Sequence, residues 1–234
     1  MDPPVPVAFT TLPPHTCSYL PDREATLRAF STRRMPGLLY HDFLNASFRR
    51  SGLVIYQPVC EGCRECIPLR IPVEEFRPSK SQRRCRVRNQ DLVVEITEPL
   101  PTDEKFDLYT RYQSHRHPGK SDSRANFEDF LYHSPVQTLE FNYRDGGGDL
   151  LAVGICDICP KSLSSVYFYF DPAQGRRGLG TFGILHEIDF AAREKIPHYY
   201  LGYWVRQCAK MAYKADFKPC EILAPDGSWQ ACDE

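Results

Sequence analysis

The sequence has no long apolar segment and almost no net charge. None of its apolar runs approaches the roughly 18 residues that crossing a bilayer requires, so it predicts no transmembrane helix and no membrane partner. The first 14 residues are rich in proline and lack both a basic and an apolar stretch, unlike a secretory signal peptide. A formal net charge of −1 gives no overall sign of a nucleic-acid-binding protein. These absences predict a cytoplasmic protein.

Several catalytic motifs are also missing. The sequence contains no serine nucleophile elbow, no zinc-protease helix and no Walker phosphate loop. An enzyme without these motifs is expected to transfer a group directly, without a covalent enzyme intermediate. The chain nevertheless has 234 residues, of which 42% are apolar, and this is ample material for a buried core.

The positive charge that is present is concentrated in one segment. Residues 1–100 carry a net charge of +3, whereas the rest of the chain carries −4. Within the first part, residues 77–88 contain six basic residues and no acidic one, namely Arg77, Lys80, Arg83, Arg84, Arg86 and Arg88. Such a run is typical of a surface that follows nucleic-acid phosphates, because each cation can displace a condensed counterion. The alternative is a solvated surface helix.

The ten cysteines include one closely spaced group. Without an export signal they are expected to be reduced thiols. The spacing of Cys60, Cys63 and Cys66 would bring three thiolates to one ion, and Cys17 or Cys85 could supply a fourth ligand of a structural zinc or iron–sulfur site. The alternative is a cluster of reduced structural cysteines, so no cofactor is required by this pattern.

The pattern of apolar residues predicts an α+β fold. A helix is predicted from Tyr40 through Phe48, and strands are predicted at 53–57, 67–71 and 92–97. The stretch 98–102 divides the chain into an N-terminal α/β region at 1–100 and a C-terminal domain at 101–234. In that domain three predicted strands are followed by a long helix at 178–195 and then by a further strand. This order of elements is typical of acetyltransferase-like (GNAT-type) folds, which have a mixed sheet with flanking helices.

A glycine-rich loop follows the third of these strands. It runs from Phe170 to Thr181 and includes Gly178 and Gly180 at the start of the long helix. Backbone N–H groups and the positive helix end favour a phosphate-binding site here, and the alternative is a loop whose glycines only turn the chain and whose arginines are solvated. Acetyltransferases place Gln or Arg where this chain has Gly175, and this difference favours another phosphate ligand over coenzyme A.

Many ordered segments resemble one family of enzymes. Residues 17–21, 45–52, 60–71 and 76–85 resemble the N-terminal region of bacterial aspartate/glutamate leucyltransferases. The C-terminal segments are similar to a region that those enzymes share with eukaryotic arginyl-tRNA-protein transferases, and they comprise residues 165–172, 179–182, 200–205 and 210–217. The resemblance implies an acetyltransferase-type fold, aminoacyl-tRNA as co-substrate and proteins with N-terminal Asp or Glu as acceptors. Leucine transferred to these proteins marks them for degradation through the N-degron pathway.

The resemblance also guides the choice of site residues. We expect Asp171 or Tyr203 to orient or deprotonate the acceptor amine, and Arg176 and Lys214 to bind the acceptor carboxylate. The basic run and the glycine-rich loop are expected to bind tRNA. Three alternatives are an arginyl-tRNA-protein transferase, a coenzyme A-dependent N-acetyltransferase and a non-catalytic zinc-bearing or RNA-binding module.

Overall fold

A computed structural model describes residues 8–116, 119 and 122–232. The α-helices are α1 (Gly37–Asn45), α2 (Lys80–Arg88), α3 (Asp103–Arg116), α4 (Arg124–Leu131), α5 (Leu179–Arg193) and α6 (Ala209–Ala212). The first seven strands are β1 (Thr10–Thr11), β2 (His15–Thr16), β3 (Glu24–Ala25), β4 (Leu27–Ser31), β5 (Arg49–Ser51), β6 (Val54–Pro58) and β7 (Ile67–Pro72). The remaining strands are β8 (Val93–Thr97), β9 (Thr138–Arg144), β10 (Leu150–Cys159), β11 (Ser162–Phe170), β12 (His198–Trp204), β13 (Glu221–Leu223) and β14 (Trp229–Ala231).

The N-terminal region forms a small antiparallel sheet covered by α1. Its strand order is β1-β4-β6-β5, and β2 pairs with β3 beside it. Helix α1 begins and ends three residues earlier than the sequence pattern predicts, and it ends at Asn45 because Ser47 has a φ of 70° and so reverses the chain. The residues that follow therefore form strand β5, which carries Arg49 and Arg50.

A larger mixed sheet forms the centre of the molecule. Its strand order is β14-β13-β7-β12-β11-β10-β9-β8. Strands β11 and β12 are parallel, whereas the other neighbouring strands are antiparallel. Strands β7 and β8 both precede residue 100, so this sheet includes strands from both predicted regions of the chain.

Helices cover both faces of the large sheet. On one face, Phe182, Leu185 and Ile188 of α5 belong to the largest buried apolar cluster. On the other face, α3 and α4 pack Leu108 and Phe127 against the sheet. Strand β10 is buried on both sides, which explains why its residues 150–156 are continuously apolar instead of alternating.

The predicted fold class is confirmed. The chain is an α+β protein with a mixed sheet flanked by helices, and three antiparallel strands, β9 to β11, lead into the long helix α5 and then β12. In the described part of the chain, no helix is both long and apolar enough to span a membrane.

Candidate active site

A cavity opens where β11 and β12 separate. The two strands pair only from Ser162 to Ser164 with His198 to Tyr200, and beyond these pairs they diverge toward their C-terminal ends. The resulting cavity has a volume of about 680 Å³ and is lined from β5, β11, α5 and β12 and from the segments that follow β11 and β12. This volume suits a ligand of the size of a small molecule or the end of a larger one.

The glycine-rich loop forms one end of the cavity. Asp171 follows β11 and accepts a hydrogen bond from the backbone N–H of Ala173 at 2.9 Å, which caps the 3-10 helix Pro172–Arg177. Gly178 then adopts φ 68°, a left-handed conformation that suits glycine, and α5 begins at the next residue. Gly178 and Gly180 line the cavity, so the N-terminal end of α5 faces it as predicted for an anion site.

The basic run includes helix α2, which is held against the glycine-rich loop by hydrogen bonds. Gln82, Cys85 and Asn89 point inward, and the Asn89 side chain donates a hydrogen bond to the carbonyl of Arg177 at 2.9 Å. Most of the basic residues are therefore exposed, namely Arg77, Lys80, Arg83, Arg84 and Arg88. Arg86 is instead half-buried and pairs with Asp189 at 2.7 Å. Of the exposed cations, Arg88 contacts the glycine-rich loop, where its Nη1 donates a hydrogen bond to the carbonyl of Arg176 at 2.9 Å.

The two predicted catalytic residues lie in different surroundings. Asp171 caps the 3-10 helix, lies 4.0 Å from Arg111 and is not among the described residues that line the cavity. Tyr203 does line it, and its hydroxyl donates a hydrogen bond to the carbonyl of Ser47 at 2.6 Å. Burial holds the pKa of Tyr203 well above its ordinary value, so its hydroxyl is a donor and not a base at neutral pH.

The cavity lining is strongly cationic. It includes five Arg or Lys side chains, namely Arg49, Arg50, Arg116, Lys210 and Lys214. Among its described lining residues, Glu187 is the only carboxylic acid. A cavity with this charge balance favours anionic ligands.

Of the two predicted acceptor-binding residues, Lys214 reaches the cavity. It is 8% exposed, and its Nζ donates a hydrogen bond to the carbonyl of Tyr203 at 2.9 Å. Burial, followed by the neighbouring charge of Arg49, lowers the pKa of Lys214 to about 7. Arg176 is exposed on the glycine-rich loop and is not among the described lining residues. The structure therefore does not bring these two residues together in the cavity.

Arg49 is a cavity residue that the sequence analysis did not single out. Its Nη1 donates hydrogen bonds to the carbonyls of Phe48 at 2.7 Å and Leu44 at 3.3 Å. Its guanidinium lies over the rings of Tyr203 and Tyr200, at 5.2 Å and 5.8 Å from their centroids. The remaining Nε–Nη2 edge has no hydrogen-bond partner in the described part of the chain. An arginine edge of this kind can bind a carboxylate through two parallel hydrogen bonds, and here both of its nitrogen atoms are buried.

The neighbouring Arg50 is, by contrast, fully neutralised. Its Nε and Nη2 each bind a carboxylate oxygen of Asp157 at 2.8 Å, and both side chains are completely buried. Tyr40 and Thr138 donate two further hydrogen bonds to Asp157, both at 2.8 Å. This network fixes β5 against β10, and it thereby positions the adjacent Arg49.

Four of the five cysteines proposed as metal ligands lie near one another. Burial and the neighbouring thiols of Cys17, Cys60 and Cys63 raise the pKa of Cys66 to about 12. Cys85 is elsewhere, on α2, where its thiol donates to the carbonyl of Gly178 at 3.4 Å. Across the described residues, no three or more potential ligands are arranged to hold a metal ion.

Comparison with known proteins identifies the family. The model of the arginine-tRNA-protein transferase C terminus matches residues 104–224, and the N-terminal model matches residues 15–84. The chain is 44% identical over 223 residues to an aspartate/glutamate leucyltransferase of Chromohalobacter salexigens, a match that covers 92% of this chain and 89% of that protein. It is 42% identical over 219 residues to an aspartate/glutamate leucyltransferase of Pseudomonas fluorescens, with coverage of 92% and 93%.

Solved structures show a more distant likeness. The structure of L-PGS from Bacillus licheniformis is 11% identical, with a TM-score of 0.47, and the match covers 76% of this chain and 52% of that one. The sequence relatives are far closer, and both family models match in chain order. The resemblance predicted from the sequence is thus confirmed, and the chain belongs to the arginine-tRNA-protein transferase family.

Proposed function

We propose that this protein transfers leucine from Leu-tRNA to the N-terminal Asp or Glu of other proteins and so marks them for degradation, in the cytoplasm. The observation that supports this most directly is the cavity between β11 and β12. It has a helix N-terminus at one end and the cations Arg49 and Lys214 in its lining. The first feature suits the phosphates of a tRNA 3′ end, and the second suits an acidic acceptor.

The reaction needs little chemical activation. The aminoacyl ester is already reactive, and an α-amine has a pKa near 7.7–8, so a fair fraction of it is a free nucleophile at neutral pH. Orientation of the amine against the ester carbonyl supplies much of the acceleration. A cavity that receives both substrates would supply this orientation. The sequence also lacks the serine nucleophile elbow that a covalent enzyme intermediate would use.

The apolar part of the cavity favours leucine over arginine as the transferred residue. Val166, Phe168, Ile184 and Leu201 line it from β11, α5 and β12. A leucyl side chain gains free energy of transfer against such a surface, whereas a guanidinium would lose its hydration. The names of the bacterial relatives support the same choice.

The direct test is a transfer assay. Purified protein is incubated with Leu-tRNA or Arg-tRNA, each radiolabelled in its amino acid, and with peptides that begin with Asp, Glu, Lys or Ala. We expect label from Leu-tRNA on the Asp and Glu peptides only. Label on Lys or Ala peptides, or transfer from Arg-tRNA alone, would contradict the proposal.

Helix α2 is proposed to bind the tRNA backbone, because it carries exposed cations and because Arg88 and Asn89 at its C-terminal end are hydrogen-bonded to the glycine-rich loop. The double variant Arg83→Ala, Arg84→Ala should raise KM for Leu-tRNA several-fold. It should also reduce the slope of log KM against log salt concentration by about 1.4–1.8, since two fewer counterions are released. The measurement is a KM series between 50 and 200 mM salt, roughly the range over which such slopes are resolved.

A matched control is available at the other end of β11. Lys161 is exposed in the turn before that strand, far from the glycine-rich loop. Lys161→Ala should keep the wild-type KM and salt slope. If the α2 double variant behaves like Lys161→Ala, then α2 is only a solvated helix.

The group of Cys17, Cys60, Cys63 and Cys66 remains a proposed structural metal site. Its support is the proximity of the four thiols, although their present arrangement does not form a coordination shell. If the site exists, protein purified without oxygen should contain zinc or iron near one equivalent, and Cys63→Ser with Cys66→Ser should lose it. Fully active, metal-free wild-type protein would show that the cysteines have no such role.

A further inference from the structure

We propose that the ring of Phe168 closes the end of the pocket that holds the leucyl side chain, and that Gly183 and Gly154 set the depth of this pocket. The inference deepens the proposed transferase function and rests on it. Phe168 lies on β11, lines the cavity and is only partly buried. Its ring is therefore part of the cavity wall and open to a bound ligand.

Two glycines let the ring of Phe168 lie close to α5 and β10. A Cβ atom on Gly183 of α5 would lie 2.2 Å from Cε2 and 2.5 Å from Cζ of this ring. A Cβ atom on Gly154 of β10 would lie 3.2 Å from its Cδ2. These distances are shorter than the roughly 3.5–4.0 Å of a carbon–carbon contact, so a side chain at position 183 would push the ring away from α5. The ring of Tyr143 also packs against Phe168, with the two centroids 5.5 Å apart.

The position of Phe168 places it on the side of the cavity that would hold the donor. Its ring packs against the apolar cluster that includes α5, and α5 begins at the glycine-rich loop proposed for the tRNA 3′ end. Gly183 lies five residues after Gly178, or about 7.5 Å along the helix. Arg49, proposed for the acceptor, lies instead over Tyr200, which belongs to the separate cluster around α1. The apolar group that meets Phe168 is therefore the leucyl side chain of the donor.

A pocket closed by a ring selects its ligand by size. Ile184 and Leu201 line the same part of the cavity and are each 5% exposed, so they form its sides. Valine would leave space beside the Phe168 ring unfilled, and phenylalanine would overlap the ring. One methylene more or less in an apolar pocket changes kcat/KM by about 10–200-fold. The depth that the two glycines allow thus determines which aminoacyl group is transferred.

The first test compares donors that differ only in the amino acid. One tRNA species is acylated with leucine, valine or phenylalanine, and kcat/KM for each donor is measured with the same Asp peptide. The wild type should prefer leucine over both by at least about 10-fold. Phe168→Leu removes the outer ring atoms, so it should raise kcat/KM for phenylalanine about 10-fold and lower that for leucine. A gain with phenylalanine is not explained by partial unfolding.

The opposite change is made from α5. Gly183→Ala adds a Cβ atom that pushes the Phe168 ring into the cavity, so kcat/KM for leucine should fall about 10-fold and the ratio of valine to leucine transfer should rise. The double variant Gly183→Ala, Phe168→Leu lacks the ring atoms that the new Cβ meets and should recover part of the leucine transfer. Phe190→Leu is the matched control, because Phe190 belongs to the same apolar cluster but is not among the described residues that line the cavity. It should keep the wild-type ratios between donors.

Three outcomes would overturn the inference. The first is a Phe168→Leu variant that changes the transfer of all three amino acids by the same factor. The second is a Gly183→Ala variant with the wild-type ratios between donors. The third is an effect of Phe168→Leu confined to KM for the Asp peptide, which would place Phe168 in the acceptor site. Wild-type protein that transfers no leucine overturns the proposed function itself, and the inference fails with it.

Discussion

Replacing Arg49 by alanine is expected to lower kcat/KM for peptides that begin with Asp or Glu by about 10²-fold, with KM for Leu-tRNA unchanged. The physical reason is the free Nε–Nη2 edge of this buried guanidinium, which would bind the acceptor carboxylate through two hydrogen bonds. The loss corresponds to roughly 2.7 kcal/mol, the size expected of a buried charged hydrogen-bonded contact. For peptides that begin with Asn or Gln, kcat/KM should fall far less. The Arg49→Ala variant should therefore lose nearly all of the wild type's preference for Asp over Asn.

Two comparison variants make this prediction specific. Arg49→Lys keeps a positive charge but loses the fork, so it should retain only part of the preference for Asp over Asn. Arg176→Ala changes the exposed arginine that the sequence favoured for the same role, and it should leave the preference intact. If Arg176→Ala abolishes the preference and Arg49→Ala does not, the acceptor carboxylate binds at the glycine-rich loop.

Replacing Asp157 by alanine should lower the free energy of unfolding by about 3–5 kcal/mol. Asp157 and Arg50 form a completely buried ion pair, and removal of one partner leaves the other charge buried and uncompensated. Tyr40 and Thr138 would lose hydrogen-bond acceptors in the same change. The measurement is urea-induced unfolding of the wild type and the variant.

The control for this second prediction is an exposed ion pair. Asp91 binds Arg177 at 2.8 Å on the surface, where water screens the interaction. Asp91→Ala should therefore shift the urea midpoint much less than Asp157→Ala. Equal shifts would mean that the buried network around Arg50 contributes no more than a surface contact.

Much of the C-terminal half could be predicted from the sequence because its signals are local. The apolar pattern predicts strands at 136–144, 149–157, 163–170 and 198–205 and a helix at 178–195, and β9 to β12 and α5 lie within two residues of these bounds. The glycine-rich loop lies at the start of α5 as expected, since its conformation depends mainly on glycine and on the Asp171 cap.

The least predictable features depend on contacts between distant parts of the chain. Arg49 and Arg50 are adjacent residues of the same type, so the sequence does not distinguish them. Arg50 is the one that is neutralised, because it forms an ion pair with Asp157, which is distant in the sequence. The burial of Glu187 is likewise not predictable from local sequence, because it depends on the contacts that α5 makes with β10 and β12. Cys85 was grouped with the other cysteines by type alone, although α2 carries it to the glycine-rich loop.

The placement of β7 also determines when the molecule can be completed during its synthesis. This strand lies between β12 and β13, and its register partners Pro72 and His198 are more than a hundred residues apart in the chain. Pairing over such separations carries a large loop-closure cost and slows folding. As the ribosome extends the chain, β7 emerges long before β12 and β13. Both edges of β7 therefore remain unpaired until those strands are synthesised. The nascent chain therefore acquires its central sheet, and with it the transferase cavity, only near the end of translation.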